Sequence, residues 1–258
     1  NKQILAASVA AGVTASFGAP IGGVLFSIEV TSTYYMVNSL WKAFFCSCWA
    51  IFTFKVISVV GNIELFAPTK LITVHLDYQY VAYAFLGIIS GVVGSMFIIS
   101  VSKLLFLRTR LKLPFMSNRW LICLSIGLLI ALISFPIDFL RLSERTILGE
   151  MFSQDDLQTK DKAHWNQPAI GFNLAVFALI KFIITALSIS LPIPAGIFTP
   201  TFVLGAVFGR LYGFILKQIF GEVVNEAVYS IIGAACLTSS VTRTISVAMI
   251  VFEINGEL

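Results

Sequence analysis

Two strongly apolar runs, AIGFNLAVFALIKFIITALSISL (169–191) and TFVLGAVFGRLYGFIL (201–216), are separated by PIPAGIFTP (192–200). A helix needs about 20 apolar residues to cross the ~30 Å hydrocarbon core of a bilayer, and the first run meets that length. Inside lipid, loose backbone survives only where protein or a water-filled cavity surrounds it. Proline removes a backbone donor and breaks a helix, and glycine weakens one. A chain that interrupts itself in this way folds around the interruption. The rest of the composition fits a bilayer: 58% hydrophobic and 12% charged residues, against about 25% charged in a soluble domain. We read an all-α, multi-pass integral membrane protein and set aside a water-soluble enzyme with a large core.

The formal charge of +4 is small and clustered in short loops. The positive-inside bias of membrane proteins accounts for it, and nucleic acid is not an expected partner. Cys46, Cys48, Cys123 and Cys236 all lie in apolar runs and have neither zinc-site nor disulfide spacing. They read as small buried hydrophobes. His75 and His164 fall in separate loops. No HExxH, GxSxG or GxxxxGK[ST] tract occurs, so neither an enzyme, a metal site nor a bound cofactor is expected. The opening residues, NKQILAASVAAGV, have no signal-peptide cleavage site, and the end, FEINGEL, falls within an element. Both ends read as cuts in a longer protein.

Hydropathy and breakers place short helices at 4–16 and 20–31, split by Phe17-Gly18-Ala19-Pro20, then a long aromatic helix at 33–60 and a mixed loop at 61–77. A helix at 78–107 is rich in small residues (Gly87, Ser90, Gly91, Gly94, Ser95), which let helix backbones approach closely in lipid. A span at 119–135, a polar connection at 141–168 and a span at 169–190 follow, and beyond PIPAGIFTP come helices at about 200–219, 228–239 and 244–254. Arg108, Arg110, Lys112 and Arg119 crowd one short link, which places that link in the cytoplasm and 61–77 and 141–168 outside. The charged stretch 153–163 reads as a solvated loop. Several segments are too short to span, as in transporters whose half-helix ends meet near the midplane.

Aligning Glu29 with Glu253 lays AAGVTASFGAPIGGVLFSIEV (10–30) over AACLTSSVTRTISVAMIVFEI (234–254). Ala10/Ala234, Ala11/Ala235, Thr14/Thr238, Ser16/Ser240, Ile21/Ile245 and Glu29/Glu253 coincide. Each copy has a small-residue stretch, a polar break, an apolar helix and a terminal Glu, the pattern of a repeat or of chance in low-complexity membrane sequence. The alignment does not say whether the copies are inverted.

A helix that starts at membrane depth leaves its first four N–H groups without internal acceptors. Its dipole adds roughly half a positive charge there, so the start is an anion site without a cationic side chain. In PIPAGIFTP the helix is expected to start near Gly196, with Pro200 in the first turn, where a missing N–H costs nothing. Gly196 lets another group approach the backbone, and the N–H groups of Ile197 and Phe198 face outward. No Lys, Arg, Asp or Glu lies between Lys181 and Arg210. Conduction needs binding weak enough to release, and amide partial charges have that middle strength. The alternative reading is a Pro/Gly kink that serves packing alone.

GIFTP at 196–200 resembles the GxFxP motif of the CLC chloride channel and transporter family. TFVLGAVFGRLYG (201–213), ASFGAPIGGVLFSIEVTSTYY (15–35) and YSIIGAACLTSSVTRTISVAMIVFEINGEL (229–258) are similar to other blocks of that family, in order, from about its seventh to its sixteenth helix. The resemblance implies a CLC-type inverted repeat with broken and re-entrant helices. The end of the first repeat lies at about 1–60 and most of the second at about 78–258. It implies chloride as the transported ion, held by amides at Gly196, Ile197 and Phe198, and a homodimer through segments 20–31 and 244–254. The family's GSGIP and GREGP motifs belong before residue 1, and its pore tyrosine and any regulatory domains belong after residue 258.

Family exchangers carry two acidic residues where this chain has Glu29 and Val30. The second relays protons, and a relay through apolar protein needs a titratable group, which valine lacks. The resemblance therefore implies a passive, voltage-gated chloride channel in the plasma membrane. A proton-coupled exchanger of the same family is the alternative, and a cation-coupled solute transporter stands behind both. Glu29 and Glu253 are expected as helix-end carboxylates. Arg210 is expected to snorkel or tie down a helix, and Lys181 to need a partner.

Overall fold

A computed structural model describes residues 2–31, 37–61, 79–110, 119–153, 165, 169–221 and 224–255. Every regular element among them is helical: α1 (Lys2–Phe17), α2 (Pro20–Thr31), α3 (Val37–Gly61), α4 (Gln79–Arg110), α5 (Arg119–Ser134), α6 (Asp138–Arg141), α7 (Glu144–Phe152), α8 (Ile170–Ile189), α9 (Phe198–Phe220), α10 (Glu226–Thr242) and α11 (Ser246–Asn255). Among the described residues four stretches are long and apolar enough to cross a membrane: Ser39–Ile57, Gln79–Arg108, Ile170–Ile189 and Phe198–Phe220. The chain forms two compact units, residues 1–74 with 243–258 and residues 75–242.

The first unit is built around the break after Phe17. Gly18 takes φ 71°, a left-handed conformation that costs a side chain-bearing residue energy, and its N–H closes the end of α1 on the Thr14 carbonyl at 2.8 Å. Pro20 then opens α2 at the one helical position where its missing N–H is harmless. Ala10, Val24 and Ala43 bury together where α1, α2 and α3 meet. α11 packs on α2, where a Cβ on Gly22 would lie 2.8 Å from the Ile250 Cα. That approach is open only to glycine.

The second unit is held by a glycine seam. α9 and α10 run antiparallel, with Gly205 against Gly233 and Ala234, Gly209 against Tyr229 and Gly233, and Gly213 against Glu226 and Tyr229. A Cβ on Gly233 would sit 2.6 Å from the Gly209 Cα. Lipid gives helices little hydrophobic reason to associate, so backbone-to-backbone packing of small residues supplies the contact. α4 lies alongside α10, where the Ser240 hydroxyl donates to the Ser90 carbonyl at 3.1 Å and Gly94 faces Ser240. Of the small residues in this helix, Ser90 and Gly94 face the helix interface closely, while Gly91 faces open space. α8 is antiparallel to α9, with the Phe214 ring against Gly171.

The polar connection expected at 141–168 needs correction. Residues 144–152 form α7, whose Ile147, Leu148, Met151 and Phe152 are buried. Its charged residues lower the hydropathy, but the apolar residues recur on one helical face. The Ser143 hydroxyl caps it by accepting from the Thr146 N–H at 3.2 Å. Trp165, further along the same stretch, is completely buried. Its indole N–H donates to the Glu150 carboxylate at 2.7 Å, and its carbonyl accepts from the Asn173 side chain at 2.8 Å. The expected loop at 153–163 lies, apart from Ser153, outside the described residues, as does the loop expected at 61–77 from residue 62 onward.

Candidate functional site

Three helices start after a break inside an apolar stretch: α2, α11 and α9. In the first unit, the N–H groups of Ile21 and Gly22, which open α2, donate to the Glu253 carboxylate at 2.9 and 2.7 Å. Those of Ile245 and Ser246, which open α11, donate to the Glu29 carboxylate at 2.8 and 3.0 Å, and the Ser246 hydroxyl adds a bond at 2.6 Å. Each Glu closes its own helix and caps the other. The two helices therefore run antiparallel, and a constant spacing of 224 residues separates Ile21 from Ile245, Gly22 from Ser246 and Glu29 from Glu253. Carboxylates already hold the donors and the positive dipole ends of these two helices.

The third start, in the second unit, is different. α8 ends at Ile189, and the Leu191 N–H turns back on the Ser188 carbonyl at 3.2 Å. Pro192, Pro194 and Gly196 lead into α9, which begins at Phe198, between the start near Gly196 and the span from about 200 that the sequence suggested. Ile197 occupies the N-cap with φ −92° and ψ −30°, and its side chain makes no cap bond because it has no acceptor. Pro200 stands in the first turn as expected. The first helical bond runs from the Thr201 N–H to the Ile197 carbonyl at 3.2 Å. The Thr201 side chain is fully buried, and its hydroxyl donates to the Ile197 and Phe198 carbonyls at 2.8 and 2.9 Å. This ties down the carbonyl side of the turn that presents the amides. Phe198 stacks on Phe202 with ring centroids 6.0 Å apart. A Cβ on Gly196 would meet nothing within 4 Å, and Ile197 is 39% exposed.

Gly196, Ile197 and Phe198 are thus consecutive in the second unit, at a helix start whose N-cap adds no acceptor. Glu29, Glu253 and Val30 belong to the first unit, where Val30 is exposed. Lys181 has its partner in Glu144, Nζ to Oε1 at 2.9 Å, so its charge is balanced within the unit. Arg210 is buried and does not snorkel. Its Nη1 donates to the Met151 and Ser153 carbonyls at 2.9 and 2.8 Å, and its Nε lies 3.1 Å from the Glu226 carboxylate, which also meets Lys217 at 3.4 Å. It ties the end of α7 to α9 and α10. Among the described residues no group of His, Cys, Asp or Glu is arranged to hold a metal ion.

Sequence reasoning missed one residue near the break. Arg108, at the end of α4, donates from Nη1 to the Ser190 carbonyl at 2.6 Å. Its place in the basic cluster was the available signal, but the contact joins residues 82 positions apart.

The whole chain, residues 1–258, matches the family model described as voltage gated chloride channel. The chain belongs to the CLC family. A human relative, "Chloride channel protein 2", is 34% identical over 293 residues, covering 100% of this chain and 33% of the relative. The structure reported as a eukaryotic CLC transporter matches with a TM-score of 0.75 and 33% identity, over 99% of this chain and 40% of that one. A CLC-type fluoride/proton antiporter shares the fold, with a TM-score of 0.67 and 23% identity over 96% of this chain and 57% of that one. The chain spans about a third of the length of the curated relatives it matches. It is a multi-pass CLC membrane segment, and the head-to-tail pairing of α2 with α11 has the antiparallel sense of the family's inverted repeat.

Proposed function

We propose that this CLC segment belongs to a passive chloride channel of the plasma membrane and that the amides at Gly196, Ile197 and Phe198 hold the passing anion. One observation carries the reading. Of the three broken helix starts, two are filled by Glu29 and Glu253, while the start of α9 has an N-cap without an acceptor and open space over Gly196. Amide dipoles attract a halide without the grip of a lysine. The whole protein then carries one anion pathway per subunit. The exposed apolar side chains of Ile21, Leu25, Ile245 and Phe252 suit a face covered by a second copy in a homodimer.

Val30 favours conduction over exchange, because valine offers no proton acceptor where a relay would need one. The proton-coupled exchanger is the competing reading, and the named antiporter among the matched structures keeps it in view. Reversal potentials of the whole protein distinguish the two. Channel conduction follows the chloride gradient and ignores an imposed pH gradient, whereas a fixed proton-to-chloride stoichiometry overturns the channel assignment and leaves the anion site standing.

A further inference from the structure

The break before α9 carries no charged residue of its own, yet the fold supplies one. α4 and α8 run side by side in the same direction: Phe97 meets Phe182 with ring centroids 5.2 Å apart, and further along both helices Arg108 reaches Ser190 at 2.6 Å. Ser190 is the C-cap of α8. α8 and α9 are antiparallel, with Gly171 near the start of one against Phe214 in the latter half of the other, and eight residues lead from Ser190 to Phe198, so Ser190 lies on the near side of the break that opens α9. Those eight residues begin by turning back on α8, so the guanidinium is on the order of 10–20 Å from the amides.

The acceptor of Arg108 is a neutral carbonyl. Among the described residues the ion pairs are Arg141–Asp138, Lys181–Glu144, Arg210–Glu226 and Lys217–Glu226, and Arg108 is in none of them. Its neighbour Arg110 turns away onto the Phe106 ring, 4.8 Å from guanidinium to centroid. Arg108 is half-buried, where salt screens a charge less than at an open surface. The basic cluster Arg108, Arg110, Lys112 and Arg119 is the sequence signal that puts this end of α4 on the cytoplasmic side.

We propose that Arg108 is an electrostatic positioning residue for the anion site: it pins the end of α8 below the break and holds a positive potential on the cytoplasmic approach to the α9 amides. This rests on the reading of those amides as a halide site. A single charge about 15–20 Å away through partly screened protein changes local anion occupancy roughly two- to sixfold.

The test uses inside-out patches containing the whole protein. R108Q should lower chloride conductance about two- to sixfold at low cytoplasmic chloride, with the deficit closing as chloride saturates, and R108K should stay near wild type. In R108C channels already assembled in the membrane, a cationic methanethiosulfonate reagent should raise the low-chloride current and an anionic one lower it, relative to the unmodified variant. This arm is independent of how well R108Q folds. Equal losses in R108Q and R108K, or no difference between the two reagents, overturn the electrostatic role while wild-type chloride current leaves the function intact. A wild type that carries no chloride current overturns both.

Discussion

Glu29 and Glu253 each cap the helix that the other one ends. The carboxylate of Glu29 accepts from Ile245 and Ser246, and that of Glu253 accepts from Ile21 and Gly22. Two short helices that neither span a bilayer nor carry an N-cap of their own are thereby closed against one another, and backbone that lipid would otherwise leave unsatisfied is paired.

Removing either carboxylate should loosen this pair. E29A and E253A are each expected to cost about 1–2 kcal/mol, the range of a lost helix cap. E29Q and E253Q should cost less, since an amide oxygen still accepts but without the charge that suits the helix end. Thermal unfolding in detergent reads the order, and a wild-type midpoint in both alanine variants contradicts the reciprocal cap.

The glycine seam makes a sharper contrast. G205A, G209A and G233A force a methyl into backbone between α9 and α10, where the neighbours are Gly233, Ala234, Tyr229 and Gly209 rather than movable side-chain ends. Each should cost about 1–3 kcal/mol and lower the yield of folded protein. G91A and G127A, which meet nothing within 4 Å, should be neutral or stabilising by up to about 1 kcal/mol. Gel-filtration profiles of the five variants separate the classes.

Arg210 and Glu226 are both buried, with side-chain exposures of 2% and 10%. E226Q strips a buried guanidinium of its counter-charge and should destabilise by about 3–5 kcal/mol. K217Q, at the more exposed end of the same cluster, should cost no more than about 1 kcal/mol. Comparable unfolding midpoints for the two variants would show that the Glu226 carboxylate is not what holds Arg210.

Gly196 separates folding from binding. Its φ is not in the left-handed region, and a methyl there meets open space, so G196A should fold with wild-type stability within about 0.5 kcal/mol. The same methyl crowds the approach to the α9 amides, and single-channel chloride current should fall severalfold. Unchanged current in a normally folded G196A places the anion elsewhere.

Much of this arrangement was legible from local pattern. Gly18 and Pro20 mark a helix end and a helix start through backbone preferences that act within a few residues, so α1 and α2 fall close to where the sequence put them. The Glu29/Glu253 alignment was legible as a repeat because equivalent helices end in the same residue type, although the exchange of caps appears only once the helices are placed antiparallel. α7 was hidden because Glu144, Arg145 and Glu150 make its stretch look polar, while its buried face is only a few residues long. The contacts of Arg108 with Ser190 and of Arg210 with Met151, Ser153 and Glu226 were not legible, since each depends on which helices become neighbours. The sequence showed a break without charge, and folding brought Arg108 to its edge.

The halide position itself decides whether the α9 amides form the anion site. Bromide replaces chloride in the whole protein, and its anomalous signal is located in crystals. A peak is expected within hydrogen-bonding distance of the Ile197 and Phe198 amides, beside Gly196 at the start of α9. A well-ordered α9 start with no bromide there, and a peak elsewhere along the pathway, would contradict it.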